Sequence, residues 1–311
     1  MSFNRIAIYG HRGWASSAIV AALIDSGAPI KILYRPGSDV SNIPDTVETI
    51  EVDLADQERV VDVLRDVDIV ISLVGHEGVT LQHQLATAIP KTNVQLFVPS
   101  DLAARYDEQG LRVPVNRAKS EVEAAARDAG IPVTVVLVGN FAEFAAMGID
   151  IRNNRMIFTG DSANQPVNLC TRPYVASAYA SIFATTPITT LQNRTLALSE
   201  LTPTGAQIAA SLSQKHSSRT KTTTETLASI NQKIETGLEA GMPIVLAYYC
   251  RKIWGTGEQG GMAWGGGDVW DVKGYEKADV EGLVGGGLLG AYRDMPPTVG
   301  KFFGKEFEGC R

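Results

Sequence analysis

The first half of the chain alternates short, β-branched apolar runs with longer amphipathic stretches, and that alternation leaves few folds open. The runs are Arg5–Tyr9, Ile30–Tyr34, Val47–Val52, Ile69–Val74, Gln95–Val98 and Val133–Val138. Each is short for a helix and nearly continuous in apolar character, as expected of parallel strands covered on both faces. Between them, Ala15–Ser26, Asp56–Asp66, Thr80–Ile89 and Val115–Ala129 carry helical patterning. Gly27 and Gly130 stand where a helix C-terminal glycine belongs, and Asp56 where an N-cap belongs. Strands alternating with helices in this way predict an α/β fold, a Rossmann-type doubly wound parallel sheet.

After about residue 140 the rhythm changes. Arg155–Thr159, Val167–Cys170 and Thr195–Ser199 read as short strands. Pro173–Ala184, Thr204–Lys215 and Thr224–Arg251 read as helical, the last broken near Gly241–Pro243. The expected division is a dinucleotide-binding domain over residues 1–140 and a smaller C-terminal α+β substrate domain over 141–311 that partly returns to the first sheet. Residues 255–290 hold a disproportionate share of the chain's 30 glycines, with Trp254 just before them and Trp264 and Trp270 inside. So many glycines disfavour helix and strand interiors. Two readings stand side by side: a mobile surface connection, or an aromatic-bearing lid over a ligand.

The turn after the first strand carries the chemistry. Tyr9-Gly10-His11-Arg12-Gly13-Trp14-Ala15-Ser16 lies between a strand and a helix. Gly10 permits the tight turn, Gly13 lets the backbone approach a pyrophosphate, and the helix aims free N–H groups at the anion. The spacing is G-x-x-G-x-x-S, with small Ser16 where a third glycine usually allows close packing. His11 and Arg12 can flank the phosphates or simply face solvent, and Trp14 stands beside the ligand at the helix start. The second strand ends at Tyr34-Arg35-Pro36-Gly37-Ser38. An NAD site usually has an acidic residue there for the ribose 2′-hydroxyl; Arg35 instead suits adenine stacking and a 2′-phosphate, with the Ser38 hydroxyl beside it, although it can also be a solvated surface arginine. The expected cofactor is therefore NADP(H). Asp53-Leu54, after the third strand, fall near the adenine edge, although Asp53 can equally cap the next helix. Ser72, Val74 and Gly75 end the fourth strand, where ribose and nicotinamide belong, and His76 comes next at the pocket rim.

Together the Gly10–Ser16 turn, Arg35, Ile71-Ser72-Leu73-Val74-Gly75, Phe97-Val98-Pro99-Ser100-Asp101 and the stretch Asn116–Arg127 carrying Lys119 resemble the isoflavone reductase-like and NmrA-like branch of the atypical short-chain dehydrogenases/reductases. The resemblance runs in order over roughly residues 4–215, with Thr171–Ala180 and Leu196–Ala209 as second-domain segments. Phe-Val-Pro-Ser followed by a helix with a lone lysine is its most specific part. Asp101 stands where many relatives have Glu, and the last third matches less well. The resemblance implies a Rossmann domain, NADPH and reduction of small, often aromatic, metabolites of secondary metabolism. It also implies Lys119 as the catalytic acid/base. The Tyr-x-x-x-Lys pair of ordinary short-chain dehydrogenases is absent, because Val115 stands four residues before Lys119.

On the residues alone, Lys119 is also readable as a surface lysine among Arg117, Glu121 and Glu123. Pro99 and Ser100 at the end of the fifth strand face the cofactor, and Asp101 the substrate; Ser100 or Asp101 can also merely cap the next segment. Asn140-Phe141 come after the sixth strand at the pocket mouth, with Phe141 stacking on nicotinamide, on an aromatic substrate, or simply in the core. His76, Asp101, Phe141, Trp264 and Trp270 are the substrate-side candidates, and Tyr106 a second proton donor.

Composition narrows the partners. Lys and Arg number 28 against 34 Asp and Glu, a net charge of −6, and no basic cluster stands out, so nucleic acid is not expected. Cys170, Cys250 and Cys310 are scattered and suggest reduced thiols rather than a metal or disulfide framework. His76 and His83 are not joined by a carboxylate at ligand spacing, so no metal is expected. No apolar run suits a bilayer, no signal pattern opens the chain, and Asn193-Arg194-Thr195 reads as a chance sequon; a cytoplasmic, membrane-free protein is expected. The leading function is an NADPH-dependent oxidoreductase acting on a small aromatic or conjugated molecule. The alternatives are a non-redox cyclase or isomerase that retains NADP(H), and an NADP(H)-sensing regulatory protein. A homo-oligomer is compatible with any of these.

Overall fold

The computed structural model describes residues 2–143, 148–242, 244–260, 268–289 and 304–310. In chain order the first half runs β1 (Ile6–Tyr9), α1 (Trp14–Asp25), β2 (Ile30–Tyr34), β3 (Glu48–Glu51), α2 (Gln57–Val63), β4 (Ile69–Ser72), α3 (Gln82–Ala88), β5 (Leu96–Val98), α4 (Glu108–Leu111), α5 (Pro114–Asp128) and β6 (Val135–Leu137). The second half continues with β7 (Asn140–Phe141), β8 (Ile149–Asp150), β9 (Arg155–Thr159), β10 (Leu169–Cys170), α6 (Arg172–Phe183), β11 (Thr195–Ala197), α7 (Gly205–Lys215), β12 (Lys221–Glu225), α8 (Leu227–Glu239), α9 (Val245–Gly255) and β13 (Asp268–Val269).

The main sheet is parallel, in the order β3-β2-β1-β4-β5. A parallel bridge between Phe97 and Val133 carries it on to β6, which pairs with β11, and β11 with β13. Strand side chains alternate between two cores. Ile6, Ile8, Ile69 and Ile71 pack with α1 and α6; Ala7, Tyr9, Val70 and Phe97 pack with α2, α3 and α5. Burial on both faces is why these strands read as continuous apolar runs. The strand order reverses between β1 and β4, so a crevice opens at the carboxyl ends of those strands.

The local punctuation follows the sequence. Gly27 and Gly130 take φ of +80° and +74° just past α1 and α5, and the Asp56 carboxylate accepts from the Arg59 N–H at 3.0 Å. One helix starts later than its sequence pattern predicts. Thr224 and Glu225 belong to β12, whose threonines pair in parallel with β9, and Thr226 then caps α8. A Lys-Thr-Thr-Thr-Glu run is β-branched, and a neighbouring strand is what decides it. Of the Gly/Trp-rich stretch 255–290, residues 255–260 and 268–289 are described. β13 joins the sheet, and a short helix, Val280–Gly285, buries Leu283 and Val284. Trp264 lies outside the described residues. No described helix is long and apolar enough to cross a membrane.

Candidate active site

The β1–α1 turn is built for close approach. Gly10 takes φ +98°, and a Cβ there would stand 2.8 Å from the Leu73 carbonyl carbon and the Val74 nitrogen. Gly13 is the N-cap of α1 and offers no side-chain cap, so the first-turn N–H groups of α1 lack one. Ser16 is buried, and its hydroxyl donates to the Gly13 carbonyl at 3.1 Å, occupying the third-glycine position without crowding the sheet. His11 is buried rather than facing solvent: its Nε2 donates to the Asp39 carbonyl at 2.9 Å and ties this turn to the loop after β2. Arg12 is exposed.

Arg35, directly after β2, is exposed with no ion pair to a described carboxylate, and the Ser38 N–H closes its turn on the Arg35 carbonyl. A free guanidinium, a tight glycine turn and an uncapped helix N-terminus fit a dinucleotide carrying a 2′-phosphate. Asp53 caps its own turn, accepting from the Ala55 N–H at 2.9 Å, and Leu54 is buried.

At the ends of β4 and β5 the side chains interlock. The Ser100 hydroxyl donates to the Val74 carbonyl at 2.7 Å, and its N–H to Gln82 Oε1 at 2.8 Å. Ser100 therefore straps the two strand ends together beneath the crevice. Ser72 is buried, and its hydroxyl lacks a partner among the described residues. Gly75 leads into a short 3-10 turn, His76–Leu81, that begins with the exposed His76.

Lys119 sits on α5, which Pro114 starts at a position that tolerates proline. It is no surface lysine. Its Nζ donates to the Asp101 carbonyl at 2.5 Å and stands 3.9 Å from Asp101 Oδ1. Burial pulls the Lys119 ammonium below the ordinary lysine value, against the charges of Asp101 and Cys250. Burial likewise pushes the Asp101 carboxyl up, with Lys119 and Arg105 opposing and Glu123 adding to it. Asp101 Oδ1 has no hydrogen-bond partner among the described residues. Beside this pair, Tyr106 is raised well above its ordinary value by burial and by Asp101 and Cys250, and Cys250 is pushed up to about 12 by burial. Glu123 turns away to Arg105 and Arg127, while Arg117 and Glu121 stay exposed.

On the other side of the crevice, Asn140 is buried and its side chain donates to the Asn168 carbonyl at 3.3 Å. Phe141 meets Trp14 edge-on, ring centroids 5.2 Å apart. Trp270 is not brought to this crevice. Its indole N–H donates to Ser181 near the far end of α6, and its ring packs on the α1–α6 core. Cys250, Glu143 and Arg172 are residues that sequence reasoning misses. A Thr171-Arg172-Pro173 helix start is readable, but no local signal says what the Arg172 side chain meets. Among the described residues no group of three His, Cys, Asp or Glu side chains stands where a metal ion could be held.

A model of the NmrA-like family matches residues 2–250. An isoflavone reductase homologue of Zea mays is 30% identical over 154 residues, 45% of this chain and 50% of the relative. A bifunctional pinoresinol-lariciresinol reductase of Thuja plicata is 32% identical over 165 residues, 46% of this chain and 51% of the relative. The chain thus spans about half the length of the curated relatives it matches. In structure, it resembles the leucoanthocyanidin reductase of Vitis vinifera in binary complex with NADPH, with TM-score 0.76 and 19% identity over 91% of this chain and 99% of that one. It also resembles AtPrR2 with NADP+ and (+)pinoresinol, with TM-score 0.68 and 19% identity over 90% and 93% of the two chains. These likenesses show the fold.

Proposed function

The chain belongs to the NmrA-like family, and on that premise we propose that it is an NADPH-dependent reductase of a small conjugated or aromatic metabolite, with Lys119 as proton donor. The observation that carries the reading is a largely buried lysine on α5, held by Asp101 just past β5 and lowered in pKa by desolvation. A general acid near neutrality needs such tuning. Relatives named for reduction of isoflavones, phenylcoumarans and pinoresinol support an aromatic substrate class.

The Gly10–Ser16 turn and the α1 N-terminus would hold the diphosphate, and Arg35 and Ser38 the 2′-phosphate. Asp53 would border the adenine, and the ends of β4 and β5 the ribose and nicotinamide. NADPH, when bound, supplies a hydride. Lys119 gives its ammonium proton to the substrate atom on which negative charge develops, and is left neutral. Phe141 and Trp14 form an aromatic wall for the substrate's ring.

The test is NADPH oxidation across a panel of conjugated aromatic ketones, enones and benzylic ethers. Lys119→Ala is expected to lower turnover by about 10²-fold or more, the usual worth of a general acid, while NADPH affinity survives. Unchanged turnover removes Lys119 from the chemistry. Product formed without NADPH consumption points instead to an isomerase or cyclase.

A further inference from the structure

Trp14, which opens α1 directly behind Gly13, is clasped by two residues from the second half of the chain. Phe141 meets its ring edge-on, 5.2 Å between centroids at 82°. The Arg172 guanidinium lies over the same ring, 5.4 Å from its centroid. Arg172 opens α6, and its Nη2 donates to Ser17 Oγ at 2.7 Å, one turn along the same face of α1. Its main-chain N–H donates to Glu143 Oε1, also at 2.7 Å, and Glu143 lies two residues beyond Phe141. Trp14, Phe141, Glu143, Arg172 and Ser17 therefore form a closed circuit. One arc of it is the nucleotide turn and the other is the aromatic edge of the substrate side.

The chemistry of the circuit points to a coupling role. A planar guanidinium can stack on an indole and donate to a neighbouring hydroxyl at once; an ammonium supplies the charge without the plane. Two atoms in the circuit, Arg172 Nε and Glu143 Oε2, are buried with no partner among the described residues. Packing alone would favour an apolar pair at that place, because desolvated polar atoms weigh against the folded state. Side chains joined in one hydrogen-bonded network act together, so fixing one member bears on the others.

We infer that Arg172 is a positioning residue that couples nucleotide occupancy to the substrate side. A dinucleotide on the α1 N-terminus restrains Trp14; through Arg172 that restraint passes to Glu143 and so to Phe141. The aromatic wall, in which Phe141 already meets Trp14, is then held more firmly once the nucleotide has bound. This rests on the nucleotide-binding reading of Gly10–Ser16 and adds to it that the two ligands do not bind independently.

The experiment is hydrogen–deuterium exchange on the full chain with and without NADPH, alongside calorimetric titration of NADPH. In the wild type NADPH is expected to slow exchange over residues 10–17, 138–143 and 171–176. In Arg172→Met the slowing over 10–17 stays and NADPH affinity changes by less than roughly threefold, but the slowing over 138–143 is lost. A purely structural arginine would instead raise exchange there equally with and without NADPH. Arg172→Lys should restore part of the effect, and Ser17→Ala, which leaves the stacking in place, should lose part. These two milder variants decide the matter if Arg172→Met does not fold. Equal slowing over 138–143 in wild type and variants, or none in the wild type, overturns the coupling alone. Failure of NADPH to bind the wild type overturns both the coupling and the nucleotide-binding reading.

Discussion

Lys119 reaches Asp101 at two points, its Nζ 2.5 Å from the main-chain carbonyl and 3.9 Å from the carboxylate. Leu102, the next residue, takes φ +48°, a left-handed conformation that a branched side chain adopts only under constraint. The peptide plane that turns the Asp101 carbonyl to Lys119 is thus held at about 1 kcal/mol or more of backbone strain. Burial drives the two groups in opposite senses, Lys119 down and Asp101 up, while their mutual attraction resists both shifts.

That opposition gives a pH signature. In the proposed role Lys119 could donate a proton only as the ammonium, so kcat/KM is expected to fall as pH rises through its pKa, below the ordinary lysine value. Asp101→Asn removes a charge that raises this pKa. The alkaline limb of the profile should therefore move to lower pH in the variant, and a limb that stays in place would separate Asp101 from the lysine.

Gly10→Ala tests the nucleotide turn. The residue sits at φ +98°, and a Cβ would meet the Leu73–Val74 peptide just past β4 at 2.8 Å. Strain of about 1–3 kcal/mol is expected from the dihedral alone, and backbone overlap adds to it. A lower denaturant midpoint together with weaker NADPH binding is the expected outcome; NADPH affinity at the wild-type level would place the diphosphate elsewhere.

Arg35→Asp tests cofactor choice. Arg35 is exposed and free of carboxylate partners among the described residues, so its substitution should leave stability nearly unchanged. NADPH affinity should drop by roughly 10- to 100-fold, the worth of one charge-assisted contact of about 1.5–3 kcal/mol. NADH affinity should hold or improve. Titration of both nucleotides against both proteins reads this directly.

Arg251→Met tests the second half. Arg251 is almost wholly buried on α9, paired with Glu225 and, at 3.0 Å, with Glu306. Lys233 also reaches both carboxylates, at 2.8 and 2.6 Å. Removing one member of a buried network leaves uncompensated charge, and about 3 kcal/mol of stability should be lost, the low end of the usual range because Lys233 remains. Urea unfolding measures it, and a change under about 1 kcal/mol would show the network to be dispensable.

Much of the fold was legible because its signals are short-range. The β1–α1 turn follows from two glycines and a strand, and Asp56 and Gly27 mark their helix ends by backbone chemistry alone. β12 was not legible, because a threonine run becomes a strand only when β9 lies beside it. Trp270 reads in the sequence as a ligand-side aromatic, and the structure packs it against the α1–α6 core, since an indole's surroundings depend on neighbours distant in the chain.

Lys119 shows the division most plainly. Its place on a helix after Phe97-Val98-Pro99-Ser100-Asp101 is written in the sequence, and so is its likeness to a family lysine. Periodicity, capping and glycine geometry act over a few residues, so the chain by itself determined the parallel strands, the crossover helices and the nucleotide turn. Burial and electrostatic environment are sums over neighbours distant in the chain. Only the tertiary structure brought Cys250 near Lys119, removed water from Asp101, and laid Arg172 across Trp14.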